Sequence, residues 1–159
     1  MKTLYIARHA KSSWDDPTQS DFDRPLNARG ERDAPRMARY LATQSVHPEY
    51  ILTSPAHRAR RTAEIYHTTL GGLLQFDRRI YEASVTGLLY LVQEAFEQTD
   101  SLMILGHNPG MTELINRLSS ASLFNLPTAG VVGIKWNNNG HETSIQPFFY
   151  ATPKSVTIQ

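Results

Sequence analysis

The sequence predicts an α/β protein with a mainly parallel central sheet. Short apolar runs typical of buried strands alternate with amphipathic runs typical of helices, which is the pattern of βαβ units. The tail differs, because two β-like runs, residues 130–136 and 143–149, flank an Asn-rich turn and predict a closing hairpin. No repeat, low-complexity segment or linker divides the chain, so we expect one domain over residues 1–159.

A long polar loop separates the first predicted strand from the first helix. Residues 3–7 form the strand, and the loop covers residues 11–23. We interpret its carboxylates as loop solvation and turn chemistry: Asp15, Asp16, Asp21 and Asp23. Four apolar residues then recur at helical spacing, namely Ala34, Met37, Ala38 and Leu41. Pro35 leaves two starts for this helix, near Asp33 or earlier from Asn27 with a kink at the proline.

The second helix has its own start and stop signals. Residues 50–53 predict the preceding strand, after which Ser54 as N-cap and Pro55 at the first helical position open the helix. The glycines at positions 71 and 72 end it. Its buried stripe is expected to consist of Ala59, Thr62, Ala63 and Tyr66.

The second half of the chain continues the alternation. A third helix is expected over about residues 86–98, with a buried stripe of Leu88, Leu91, Val92 and Ala95. A buried strand follows over residues 102–105. Asn108 and Pro109 repeat the cap-plus-proline signal and open a fourth helix, whose inward residues are Leu114, Ile115 and Leu118.

Composition restricts the class of partner and of chemistry. A net charge of +1 and a pI near 8.1 argue against nucleic acid and membrane surfaces as partners. Cysteine is absent, which excludes thiol nucleophiles, disulfides and Cys-based metal sites. The first apolar run is too short for a signal peptide, and nowhere do about 18 apolar residues run together. We therefore expect a cytoplasmic protein.

Basic side chains follow three of the predicted strands. Arg8 and His9 come directly after the first strand, and His107 follows the later one. Arg58 lies in the first turn of the helix after the second strand. The carboxyl ends of parallel strands share one edge, so these side chains converge on one crevice. Any one of them alone is more often a surface or capping residue, but two arginines and two histidines together indicate a phosphate site.

Two further signals bear on this predicted phosphate site. The N-termini of the second and fourth helices add backbone N–H donors to the same crevice. The sequence contains no HExxH motif and no acidic pair at metal-ligand spacing, so we expect neither a metal nor a cofactor.

Three motifs, in order, resemble those of the histidine phosphatase superfamily: Arg8-His9-Ala10, the Ser-Pro-Ala-His-Arg-Ala run at 54–59, and Gly106-His107-Asn108-Pro109. The order and spacing match across nearly the whole chain. The short length, residues 8–14, and Arg24-Pro25-Leu26-Asn27 with Gly30 look like the SixA branch, whose members are phosphohistidine phosphatases. The resemblance implies a three-layer α/β/α sandwich of the phosphoglycerate-mutase-like kind.

The resemblance also implies roles for individual residues. His9 would be the nucleophile, while Arg8 and Arg58 would grip the oxygens of the phosphoryl group. His107, if protonated, would add a further donor. Three more residues are assigned to substrate binding: Arg24, Lys11 and Asn108.

One position departs from the broader family, and the role of another remains undecided. Ala10 stands where the commoner triplet has glycine. Glu82 matches by order the acidic residue that serves many members as general acid, but it is equally well explained as a surface carboxylate. A phosphoramidate substrate needs such an acid less than an ester does, because its imidazole leaving group can be protonated before the P–N bond breaks.

These roles predict a metal-independent phosphatase that hydrolyses protein phosphohistidine through a phosphohistidine intermediate on His9. The partner would be a phosphohistidine-bearing protein, for example a His-containing phosphotransfer domain. A small-molecule phosphomonoesterase acting on a small phosphate ester, with the same nucleophile, is the first alternative, and a non-catalytic phosphate-recognition module is the second. A mutase is disfavoured, because it would have to enclose its substrate. The sequence leaves the oligomeric state open and favours a monomer.

Overall fold

The computed structural model describes residues 2–136 and 146–156. Within these ranges, four α-helices and two 3-10 turns, Asp21–Asp23 and Arg78–Ile80, surround one six-stranded sheet. The strands are β1 (Lys2–Arg8), β2 (Tyr50–Thr53), β3 (Leu73–Phe76), β4 (Ser101–Gly106), β5 (Val131–Trp136) and β6 (Phe149–Ala151). The helices are α1 (Ala28–Thr43), α2 (His57–Leu70), α3 (Val85–Ala95) and α4 (Gly110–Leu118). None of these helices is long and apolar enough to cross a membrane.

The sheet has the strand order β3-β2-β4-β1-β5-β6. The first four of these strands are parallel to one another, and β5 and β6 are antiparallel to their neighbours. The predicted, mainly parallel sheet is therefore confirmed. In its centre, Arg8 pairs with Gly106 at the carboxyl ends of β1 and β4, so the residues that follow both strands emerge side by side.

Alternate strand residues face two separate cores, as the pleat of a strand requires. One core packs α1 and α2 against strand residues that include Tyr5, Ala7, Ile51, Met103 and Leu105. The other packs α3 and α4 against strand residues that include Leu4, Ile6, Leu52, Leu102 and Ile104. Helices thus cover both faces of the sheet, which confirms the three-layer α/β/α sandwich. The predicted helical stripes are buried in these cores.

Helix α1 takes the earlier of its two predicted starts. It begins at Ala28, where the side chain of Asn27 accepts a hydrogen bond from the N–H of Gly30, and Pro35 lies inside it. Lys11 passes so close to Gly30 that a Cβ there would lie 2.2 Å from the Lys11 carbonyl oxygen. The glycine therefore lets the loop after β1 pack directly on the first turn of α1.

The two cap-plus-proline signals place the helix starts too early. Helix α2 begins at His57 rather than at Pro55, because the Ser54 hydroxyl accepts the N–H of Ala56 in a turn that precedes the helix. Helix α4 begins at Gly110, with Pro109 in the capping position. The side chain of Asn108 still accepts the N–H of Thr112, so it caps the first turn of α4 from the residue before Pro109.

Two other predictions need correction, and one strand has no predicted counterpart. Helix α3 ends at Ala95 rather than near residue 98, and the exposed edge strand β3 is not predicted by the sequence. The tail does form an antiparallel pair, but β6 begins at Phe149, the last residue of the predicted run 143–149. The predicted Asn-rich turn, at 137–140, and residues 143–145 of the predicted run lie outside the described residues.

Candidate active site

His9 directly follows β1 and is buried, and both of its ring nitrogens take part in hydrogen bonds. Its Nδ1 lies 2.7 Å from the carbonyl oxygen of Ala10, which can only accept a hydrogen bond, so Nδ1 carries the proton. The lone pair is left on Nε2, where the Nε–H of Arg58 approaches to 3.4 Å. Burial lowers the pKa of His9 well below its ordinary value of 6.5, although the bond to Ala10 acts in the opposite direction. His9 is therefore a neutral base whose Nε2 lone pair accepts one long hydrogen bond, from Arg58.

A buried threonine joins this nucleophile segment to α2. The hydroxyl of Thr62 accepts the N–H of Ala10 at 3.1 Å and donates to the carbonyl oxygen of Arg58 at 2.8 Å. Thr62 has no exposed surface. One side chain thus fixes the backbone on which His9 depends to the turn of the helix that carries Arg58.

The two predicted arginines differ in how many donors they have free. Arg58 is buried and donates to the backbone oxygen of Asp21 at 2.7 Å and to the Asp21 carboxylate at 3.1 Å. Arg8 donates from Nη1 to the carbonyl oxygen of Leu126, but its buried Nε–H has no hydrogen-bond partner within the described residues. Burial, and then the charge of Arg58, lowers the pKa of Arg8, as expected for two cations held together. Such a site favours an anion.

His107 lies beside His9, with 5.1 Å between the ring centroids. Its Nε2 is 2.8 Å from the hydroxyl of Ser54, which also accepts the N–H of Ala56. Its buried Nδ1 has no partner among the described residues. Burial, followed by the charge of Arg58, lowers the pKa of His107 to about 4, so the ring is neutral at neutral pH. The predicted role of His107 as a donor requires a protonated ring. Protonation of this ring requires an additional negative charge nearby.

Arg24 lies in the same cleft but most of its donors are occupied. Its Nη1 donates to the Ser12 hydroxyl and the Ser13 carbonyl oxygen, and its Nε and Nη2 donate to one oxygen of Asp21. Its guanidinium also lies 3.6 Å from the ring centroid of Trp14, which is 73% exposed. Arg24 is therefore firmly held by the protein, with few N–H groups left for a ligand.

Asp21, which the polar loop sequence predicts to be a solvated carboxylate, is instead part of the site. It accepts hydrogen bonds from Arg24, Arg58 and the hydroxyl of Tyr81, the last at 2.6 Å. Burial raises the pKa of Asp21, but these bonds outweigh it and lower the pKa to about 2. Tyr81 in turn packs its ring edge-on against His107, with 5.5 Å between the centroids. Asp21 and Tyr81 therefore connect the arginines to the second histidine.

The remaining predicted residues lie around the same cleft, which has a volume of about 560 Å³. Lys11 is half-buried in its wall, and Glu82 is exposed on its rim with a left-handed φ of 59°. Asn108 also lines it, but its amide donates to Asn125 and Leu126 and its oxygen accepts from Thr112. The side chain of Asn108 thus fastens a loop to α4. Across the described ranges, no three His, Cys, Asp or Glu side chains gather into a metal-binding group.

Residues 4–101 match the family model of the histidine phosphatase superfamily, branch 1. The chain belongs to this superfamily. A chloroplastic protein of Arabidopsis thaliana, itself uncharacterised, is 34% identical over 133 residues, which are 77% of this chain and 61% of that relative. The chain therefore spans about three fifths of that relative's length.

Two solved structures of SixA proteins superpose on nearly the whole chain. The SixA of Agrobacterium tumefaciens has a TM-score of 0.85 and 27% identity, and the match covers 96% of this chain and 98% of that one. The protein histidine phosphatase SixA in complex with tungstate has a TM-score of 0.83 at 22% identity, covering 96% and 97%. The expected phosphoglycerate-mutase-like fold is confirmed, and the matches support a phosphatase of this superfamily.

Proposed function

We propose that this histidine phosphatase hydrolyses phosphohistidine carried by another protein, through a covalent intermediate on His9. The observation that carries the proposal is the orientation of His9, whose proton is held on Nδ1 by the Ala10 carbonyl while Nε2 faces Arg58. A neutral imidazole in that position is a nucleophile at neutral pH, and the arginines beside it are suited to a phosphoryl group.

In the first step, the lone pair of His9 Nε2 attacks phosphorus and the P–N bond to the substrate imidazole breaks. The substrate imidazole takes a proton from solvent before the P–N bond breaks, so it departs as a neutral ring. The phosphoryl group carries charge on its three equatorial oxygens during transfer, and positioned donors lower the barrier. The unpartnered Nε–H of Arg8 and the free N–H groups of Arg58 supply such donors.

In the second step, water attacks the phosphorus and the bond to His9 Nε2 breaks, which releases inorganic phosphate and restores the neutral ring. While phosphorylated, the ring is more positive, and the Ala10 carbonyl accepts its Nδ1–H throughout. The negative phosphoryl group also raises the pKa of His107 from about 4, so this ring gains a proton and a donor when the anion is present.

Phosphohistidine is favoured over an ester because an ester leaving group needs a general acid more. Asp21, with a pKa of about 2, is ionised and has no proton to donate. An imidazole leaving group accepts its proton before bond cleavage, so it needs no acid of the enzyme. The phosphomonoesterase alternative depends on Glu82, which lies on the cleft rim, within reach of bulk water.

The test compares two substrates, a phosphohistidine-bearing phosphotransfer domain and an aliphatic phosphate ester. His9→Ala should abolish hydrolysis of the first and leave no acid-labile phosphoenzyme. His47→Ala is the matched control, because His47 contacts the Leu70 carbonyl oxygen and does not line the cleft, and it should retain wild-type turnover. Hydrolysis by His9→Ala at the wild-type rate would overturn the nucleophile assignment.

Glu82→Gln separates the two enzyme classes. Hydrolysis of phosphohistidine should stay within about twofold of wild type, because no carboxyl proton is needed. Turnover of the ester but not of the phosphorylated protein, with a strict requirement for Glu82, would establish the phosphomonoesterase instead. Binding of the phosphorylated protein without any turnover would identify a recognition module.

A further inference from the structure

The carboxylate of Asp21 bonds to two arginines of the cleft, Arg24 and Arg58, although about half of its side chain is exposed to solvent. One oxygen, Oδ2, accepts from Arg58 Nη2 at 3.1 Å and from the Tyr81 hydroxyl at 2.6 Å. The other oxygen accepts from Arg24 Nε at 3.2 Å and Nη2 at 3.1 Å. A carboxylate has about four acceptor positions, and protein donors fill all of them. Asp21 is therefore anchored at this place by three residues.

The anchored carboxylate occupies donors that a phosphoryl group would use. Arg58 has five N–H groups, and its Nη1 and Nη2 each direct one of them to Asp21, through the backbone oxygen and the carboxylate respectively. Its Nε–H points at His9 Nε2. An oxyanion bound at His9 must therefore share Arg58 with Asp21.

Asp21 also sets the charge of the cleft. Three arginines line it, and the lowered pKa values leave His9 and His107 neutral. Lys11 and Glu82 in its lining carry opposite charges. The carboxylate of Asp21 offsets one arginine, so the cleft carries a net charge of about +2, which matches the charge of a phosphate dianion.

We infer that Asp21 is a positioning residue that competes with phosphate for Arg58 and limits the affinity of the cleft for inorganic phosphate. The inference rests on the proposed function, because the phosphate in question is the product of that reaction. A cleft with three uncompensated arginines would retain its product. Asp21 keeps the arginines oriented while it weakens their hold on the released anion.

The experiment measures binding of inorganic phosphate by isothermal titration calorimetry at pH 7.5, for the wild type and for Asp21→Asn. Asparagine keeps the size of the side chain and one acceptor oxygen but removes the charge. The dissociation constant for phosphate should fall about tenfold, because a negative charge close to a dianion is removed. Inhibition of turnover by phosphate should strengthen by the same factor. A merely structural role predicts the reverse, since a loosened Arg58 binds phosphate less tightly.

A matched variant isolates the charge at this position. Asp23→Asn makes the same change in the same 3-10 turn, but Asp23 accepts from Ser20 and bonds to no arginine, so phosphate affinity should stay within about twofold of wild type. Thermal unfolding of each variant verifies that it is folded.

Unchanged or weaker phosphate binding by folded Asp21→Asn, relative to Asp23→Asn, would overturn the inference. Equal strengthening in both variants would overturn it too, because the effect would then be one of net charge alone. The proposed function fails in a different way, when the wild type neither binds phosphate nor hydrolyses phosphohistidine.

Discussion

Replacing Thr62 with valine removes the hydroxyl that joins the His9 segment to α2. The shape of the side chain is nearly kept, but the N–H of Ala10 is left buried without its acceptor. A buried donor without a partner costs about 1–3 kcal/mol, so we expect the free energy of unfolding to fall by about 2 kcal/mol. For a chain of this size that corresponds to a decrease in Tm of roughly 4–8 °C.

The same substitution should also slow the reaction. The carbonyl oxygen of Ala10 holds the proton of His9 on Nδ1. If the Ala10 backbone is less firmly held, the Nε2 atom of His9 is less precisely oriented toward the phosphoryl group. We expect kcat for phosphohistidine hydrolysis to fall about tenfold with little change in KM. A tenfold fall corresponds to a loss of alignment that raises the activation barrier by about 1.4 kcal/mol. Thr62→Ser keeps the hydroxyl and should restore most of kcat.

Urea unfolding and steady-state kinetics measure both effects. Thr68→Val is the matched control, because Thr68 lies on the same helix, is exposed, and within the described residues bonds only to the carbonyl oxygen of Glu64. Its free energy of unfolding should stay within about 0.5 kcal/mol of wild type. Equal stability of Thr62→Val and Thr68→Val would refute the structural argument, and equal kcat values would refute the catalytic one.

Two further predictions concern pH and packing. Because the folded pKa of His107 is about 4 and its ordinary value is 6.5, the unfolded chain binds more protons between these values, and stability should rise from pH 4 to pH 6.5, by about 3 kcal/mol for this residue alone. His9 acts in the same direction, and His107→Asn should flatten the slope of urea-unfolding free energy against pH. Gly30→Ala should destabilise the fold by more than about 2 kcal/mol, because its Cβ would collide with the Lys11 carbonyl oxygen. Gly87→Ala, whose Cβ would meet only the Ser84 hydroxyl at 3.4 Å, should instead leave thermal stability unchanged or raise it.

The four central site residues were predictable because each follows a strand with a clear sequence signal. The carboxyl ends of β1, β2 and β4 lie on one edge, so Arg8, His9, Arg58 and His107 had to come together once the strands were known to be parallel. The identity of the strands and of the side chains that follow them is enough to bring these residues together, whatever the exact helix boundaries.

Asp21 could not be predicted in the same way. An aspartate in a polar loop has the same local sequence whether it is solvated or bonded to arginines, and the contacts with Arg58 and Tyr81 bridge 37 and 60 positions. The predicted start of α2 was wrong because the Ser54 hydroxyl accepts the N–H of Ala56 in a turn before the helix, and the same hydroxyl contacts His107 from a distant strand end. Strand β3 was missed because its four residues are mostly exposed and carry no buried pattern.

The pairing of β1 with β4 has a consequence for the synthesis of this protein. The strand that ends in Arg8 is made first, but its parallel neighbour, which ends in Gly106, leaves the ribosome about 100 residues later. Closing so long a loop is slow compared with forming local helices. Catalytic turnover therefore requires that β4 has been made and paired, and a nascent chain that stops before β4 should be inert, however well its first two helices have formed.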